Sequence, residues 1–106
     1  MRVVVSDFDN TIYNENYLKN IDLIKDFIAR KNKFIIATGR NLSSLLKEID
    51  KFNLDIEYYI CNDGAVIYDK YKNIVYRMDI DSYIAKNIFE MLKADDNNFS
   101  SIVIIS

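Results

Sequence analysis

The chain has 106 residues, a net charge of −2, one cysteine and no histidine. Its length allows one small domain, and 50% apolar residues are enough for a core. The missing histidine excludes a Ser-His or Cys-His catalytic pair, and the lone Cys61 makes neither an internal disulfide nor a zinc set.

The near-balanced charge, with no Lys/Arg stripe, argues against a nucleic-acid surface. No window approaches the roughly 18 apolar residues of a membrane span. Arg2 leads straight into a strand and not into a signal pattern, so a cytoplasmic location is expected. There is no proline, and the two glycines, Gly39 and Gly64, each follow an apolar run.

In chain order, residues 2–6 predict a strand whose continuous valines imply burial on both faces, as in a parallel sheet. It stops at Asp7-Phe8-Asp9-Asn10-Thr11. If extended backbone carries past Ser6, Asp7 and Asp9 share one side and Phe8 takes the other. Two carboxylates that close call for a proton or a cation between them. Oxygen-only ligands at the mouth of a sheet suit Mg²⁺. A polar turn following a strand accounts for the same residues.

Residues 11–17 predict a polar-aromatic loop. A helix is expected at about 18–31, with Leu18, Ile21, Leu23, Ile24, Phe27 and Ile28 largely recurring at helical spacing and Asn16 or Asn20 as its cap. Phe34–Ala37 predict a second buried strand, ending in Thr38-Gly39-Arg40. A second helix is expected at about 43–53, and residues 56–61 predict a third strand ending in Asn62-Asp63-Gly64. This is a βαβαβ unit with a parallel sheet and right-handed crossovers. Beyond Gly64 the pattern changes to a hairpin over 65–68 and 74–78, a helix at about 81–94 and a strand over 101–105, with a boundary near residues 79–82.

In a parallel sheet the three polar strand ends lie on one edge and converge on one crevice. There Thr38 can donate to a phosphate oxygen and Gly39 lets the backbone approach closely. The start of the second helix offers N–H groups to an anion, and Arg40 can clamp a phosphate or another acidic group on the substrate. An ordinary strand-to-helix turn explains Thr38-Gly39-Arg40 as well, and a turn stabilised by side-chain hydrogen bonds explains Asn62-Asp63-Gly64.

These residues resemble the haloacid dehalogenase-like hydrolase superfamily. Asp7-Phe8-Asp9-Asn10-Thr11 resembles its first motif, Asp-x-Asp-x-Thr, with Asn10 in place of the commoner Gly. Ala37-Thr38-Gly39-Arg40 resembles its second motif in the form used by the Cof-type phosphatases. Asn62-Asp63-Gly64-Ala65 resembles the Asn-Gly-Ala stretch after the third strand, with Asp63 as an extra residue. The resemblance implies an α/β, Rossmann-like three-layer parallel sheet over residues 1–80, followed by a β-hairpin and the start of an α+β cap over 81–106.

It also implies a Mg²⁺-dependent phosphoric monoester hydrolase acting on a small phosphorylated metabolite. Asp7 would be the nucleophile and Asp9 the acid and base. Mg²⁺ would sit on Asp7 and the main-chain carbonyl of Asp9, with Asp9 and Asp7 forming the metal site. Thr38, Gly39, Arg40, Asn62 and Thr11 would line the phosphate and substrate, Thr11 mainly by bracing its loop.

The later lysine and acidic pair that the family uses have no counterpart here. Asp79/Asp81 and Asp95-Asp96 follow the wrong elements, and Lys70, Lys72, Lys86 and Lys93 read as surface residues. The chain therefore reads as an N-terminal portion. Residues 2–6 and Ile102–Ile105 are expected to be open apolar edges inviting self-association. Two other functions fit the residues: a phosphate- or metal-binding module without turnover, and a receiver-type signalling domain using Asp63.

Overall fold

The computed structural model describes residues 1–77 and, as a strand, Ser101–Ile105. The first strand, β1 (Arg2–Asp7), leads into helix α1 (Tyr17–Ala29), strand β2 (Lys33–Ala37) and helix α2 (Leu42–Ile49). A 3₁₀ turn, Asp50–Phe52, closes α2, and strand β3 (Tyr58–Cys61) follows. A second 3₁₀ turn, Asn62–Gly64, leads to the hairpin strands β4 (Val66–Asp69) and β5 (Ile74–Arg77), and β6 is Ser101–Ile105. The predicted helix at 81–94 and the boundary near 79–82 lie outside the described residues.

All six strands form one sheet in the order β5-β4-β3-β2-β1-β6. β1 pairs parallel with β2, with Val5 opposite Ile35, and β2 pairs parallel with β3, with Ile36 opposite Tyr59. The hairpin joins antiparallel, β4 on β3 and β5 on β4, so the sheet is mixed and the α/β class holds.

One expectation is overturned. Residues 2–6 are not a sheet edge, because β6 pairs parallel with β1 from Arg2–Ser101 to Ser6–Ile105. Nor is Ser101–Ile105 without a partner strand, since it belongs to the same sheet as the crevice strands. The physical reason is the one that makes an apolar edge costly: β1 exposes a second row of backbone donors and acceptors, and a β-branched strand satisfies them.

Alternation within the strands divides the core. Val4, Phe34, Ile36, Tyr59 and Cys61 face one side, where α1 lays Ile21 and Ile24 and α2 lays Leu45 and Ile49. Val3, Val5, Ile35, Tyr58 and Ile60 pack on the other, with Ile67 from β4. Central strands buried on both faces explain the unbroken valine and isoleucine runs.

At the N-terminal edge of the sheet, Glu57 is buried between Lys33 (3.1 Å) and Lys70 (3.4 Å), and Lys70 also reaches Asp55 at 3.3 Å. Lys70 thus ties the hairpin to the loop before β3, at the sheet end opposite the polar crevice.

Candidate active site

The first crevice loop is built by a sharp turn at the end of β1. Phe8 follows the strand's alternation and sinks fully into the α1/α2 side of the core. Its carbonyl then accepts the N–H groups of Thr11 (3.3 Å), Ile12 (2.9 Å) and Tyr13 (2.9 Å). Asn10 takes a left-handed conformation, φ 65°, one that asparagine tolerates better than most residues. The extended geometry assumed past Ser6 therefore ends at Asp7, which stays half-buried at the strand end, while Asp9 is exposed on the turn.

Asn20, read from the sequence as a helix cap, braces this loop instead. Its Nδ2 donates to the Ile12 carbonyl at 3.0 Å and to Asn14 Oδ1 at 3.1 Å, and lies 3.5 Å from the Thr11 carbonyl. Asn16 occupies the cap position without a side-chain hydrogen bond. Thr11 is half-buried, and its carbonyl also accepts from Asn14 Nδ2 at 3.2 Å.

The second loop leaves β2. Thr38 is buried, and its Oγ1 accepts the Arg40 N–H at 3.0 Å, closing a tight turn around Gly39. Asn41 caps α2 by accepting the Ser44 N–H at 2.8 Å, so one of the helix's N-terminal donors is already occupied.

The third loop is zipped onto the second. Thr38 N–H donates to the Ile60 carbonyl (2.8 Å), Asn62 N–H to the Arg40 carbonyl (2.9 Å) and Asp63 N–H to the Thr38 carbonyl (3.1 Å). Asn62 and Asp63 both have positive φ, 53° and 55°, which short polar side chains accommodate. The Asp63 carboxylate lies over Gly39, where a Cβ would stand 2.9 Å from Oδ1. A side chain at 39 would thus make the Asp63 carboxylate move aside.

Arg40 draws the first two loops together. Its Nη2 donates to Asp9 Oδ1 at 2.7 Å and its Nε to Asp9 Oδ2 at 3.0 Å, a bidentate pair across 31 residues of chain. Nη1 reaches Ser44 Oγ at 3.3 Å. The guanidinium carbon stands 5.2 Å from the Phe8 ring centroid and 5.5 Å from that of Tyr13, two rings stacked at 5.4 Å. Tyr13 in turn meets Tyr17 edge-on at 4.8 Å, and the Tyr17 hydroxyl donates to the Glu48 carbonyl at 3.0 Å, linking the loop to α2.

The Arg40 hydrogen bonds hold the Asp9 carboxyl below its ordinary value of 3.8, against the smaller effect of burial. The same bonds raise Arg40. Burial first, then Glu48, pushes the Tyr17 hydroxyl up to about 12, so it stays a donor.

Asp9, Arg40 and the Thr38 turn are therefore joined at one sheet edge with Asp7 at the end of the adjacent strand. Asn62 is exposed there and engages through its main-chain N–H. Sequence reasoning missed Tyr13, Asn20 and Ser44 as supports of the site. The stacking of Tyr13 on Phe8 had no local signal, whereas the polar run from Asn14 to Asn20 could have indicated a side-chain-braced loop.

A divalent cation would find only oxygen donors here. Among the described residues no group of three His, Cys, Asp or Glu side chains could hold a metal ion. With the Asp9 carboxylate on Arg40, Asp7 is the carboxylate left at the end of β1, beside the main-chain carbonyls of the turn. Such a small set fits Mg²⁺, which takes one or two carboxylates and completes its shell with water and phosphate oxygens.

The family model for haloacid dehalogenase-like hydrolases matches residues 4–104 of the chain. An uncharacterized protein of Mycoplasma capricolum is 36% identical over 110 residues, covering 96% of this chain and 41% of its own length. A Buchnera aphidicola protein named "Putative phosphatase" is 34% identical over 93 residues, covering 83% of this chain and 34% of its own. A haloacid dehalogenase-like hydrolase from Bacillus subtilis superposes with a TM-score of 0.67 at 21% identity, over 90% of this chain and 34% of that one. The chain thus spans between a third and about two-fifths of the length of these relatives.

Proposed function

Since the chain belongs to the haloacid dehalogenase-like hydrolase family, we propose that its crevice is the phosphoryl-transfer site of a Mg²⁺-dependent phosphatase of the Cof type. The observation that carries the reading is the convergence of the β1 and β2 ends, with Arg40 bonded to both Asp9 oxygens at 2.7 and 3.0 Å. That contact brings the two motifs most characteristic of the family into one crevice. The substrate class is a small phosphate monoester, in keeping with the name of the Buchnera relative.

The chemistry follows from the residue types. An Asp7 carboxylate oxygen attacks phosphorus, the bond from phosphorus to the leaving oxygen breaks, and an aspartyl-phosphate forms. Asp9, held ionised by Arg40 in the free chain, takes up a proton from solvent when substrate binds and gives it to the leaving alcohol. Asp9, now ionised, takes a proton from water, whose oxygen attacks phosphorus and frees Asp7 and inorganic phosphate. The Thr38 hydroxyl and the Gly39 main-chain N–H orient the phosphoryl oxygens, and Arg40 faces the leaving group. Asp7 and the Asp9 carbonyl would hold Mg²⁺, which supplies the positive charge that lets an anion attack an anion.

A reading of binding without turnover is favoured by one observation, the lack of a three-ligand acidic group among the described residues. The test is Mg²⁺-dependent release of p-nitrophenol from p-nitrophenyl phosphate by the 106-residue chain. Turnover that Asp7→Asn abolishes supports the phosphatase. Turnover surviving in Asp7→Asn overturns the assignment, and none in either protein favours the binding module.

A further inference from the structure

Arg40 is held more firmly than a solvent-facing cation needs to be. Its side chain is 23% exposed, standing over the Phe8 and Tyr13 rings, which screen it from water on one side. A guanidinium has five N–H groups. One on each of Nε, Nη2 and Nη1 is committed to Asp9 and Ser44. Among the described residues, one N–H on each Nη is left over, enough in number for the two oxygens of a carboxylate.

Position and charge both favour such a use. In the phosphatase reading Asp9 serves the leaving oxygen, and Arg40 is bonded to both Asp9 oxygens. A substituent two or three bonds from the leaving oxygen therefore comes within reach of the guanidinium. The three strand ends otherwise carry Asp7, Asp9 and Asp63, so an acidic group on the substrate meets repulsion everywhere along them except at Arg40. Because the contacts to Asp9, Ser44 and the two rings already order the side chain, little further ordering is needed when a ligand binds.

We infer that Arg40 selects among phosphate monoesters by the alcohol they release, its two remaining N–H groups taking a carboxylate on the leaving group. The preferred substrates are phosphorylated hydroxy acids. This rests on the phosphatase reading of the crevice.

The test compares two ligands that differ at one carbon, 3-phosphoglycerate with a carboxylate and glycerol 3-phosphate with a hydroxymethyl. Binding to the 106-residue chain in Mg²⁺ is followed by calorimetry and by the Arg40 Nε–H resonance. The wild-type chain is expected to prefer 3-phosphoglycerate by about tenfold, the worth of one charge-assisted carboxylate contact. Arg40→Gln should reduce the preference to within about twofold, and Arg40→Lys, a point charge without the fork, should leave an intermediate value. If Arg40→Gln fails to fold, Arg40→Lys decides alone. A wild-type preference below about twofold, or one unchanged in a folded Arg40 variant, overturns the inference and leaves the phosphatase reading intact. Failure of both ligands to bind overturns the inference, and p-nitrophenyl phosphate turnover decides the phosphatase reading separately.

Discussion

Arg40 grips both oxygens of Asp9, Nη2 on Oδ1 at 2.7 Å and Nε on Oδ2 at 3.0 Å, and so fastens the loop after β1 to the loop after β2. The pair is partly open to water, with the Asp9 side chain 46% exposed. Its worth is accordingly modest, about 0.5–1 kcal/mol for a bidentate pair open to water. Because the pair lowers the Asp9 carboxyl below 3.8, its contribution is present at neutral pH and is lost as pH falls through that lowered value. Urea unfolding should therefore find Arg40→Gln less stable than the wild type by about this amount near neutral pH. The gap should narrow once Asp9 is protonated in both. A gap that stays constant into acid would assign the loss to the rings beneath Arg40 and not to the ion pair.

Gly39 and Asp63 form the second link between crevice loops. A Cβ at 39 would stand 2.9 Å from Asp63 Oδ1, while the Asp63 N–H is held by the Thr38 carbonyl at 3.1 Å. Asp63 is exposed, so its carboxylate can rotate away while its N–H stays on the Thr38 carbonyl, which keeps the cost small. Gly39→Ala is expected to cost about 1 kcal/mol in thermal or urea unfolding, and Asp63→Gly to relieve most of it. Asp63→Gly also suits a position at φ 55°. A double-mutant cycle with no coupling would show that the crowding is absorbed elsewhere.

Much of this arrangement could be read in the residues. The unbroken runs Val3–Val5 and Phe34–Ala37 marked strands buried on both faces, and each ended at the polar residues that line the crevice. Phe8 reads from the sequence as lying opposite Asp7 and Asp9, and the structure makes that side the buried one. What could not be read are contacts between distant stretches. The sequence places Arg40 at a phosphate or an acidic group of the substrate, and its bond to Asp9 crosses 31 positions. The pairing of β6 with β1 joins Ile102 to Val3, and no local pattern distinguishes that from an open edge. Strand propensity reports that a segment is extended, while the choice of neighbour depends on which apolar edge remains to be satisfied.

Cys61 ends β3 inside the core, fully buried, and burial pushes its thiol up to about 11. At pH 8 only about one thiol in a thousand would be ionised, and that fraction is shielded from reagent. A chromogenic disulfide reagent should leave native Cys61 unmodified over minutes and label it stoichiometrically once urea unfolds the chain. Fast native labelling would mean that the β3 end opens readily, which the bonds from Asn62 and Asp63 to the second loop argue against.

The central claim is that Asp7 accepts a phosphoryl group. An acyl phosphate is reduced by borohydride to an alcohol, so a phosphorylated aspartate becomes homoserine and is located by mass spectrometry. The 106-residue chain, incubated with Mg²⁺ and p-nitrophenyl phosphate and then reduced, should carry homoserine at position 7, and Asp7→Asn should carry none. Homoserine at position 63 would assign phosphorylation to the loop after β3, as the receiver-type reading requires. That result, or a chain with no homoserine at all, would contradict the account.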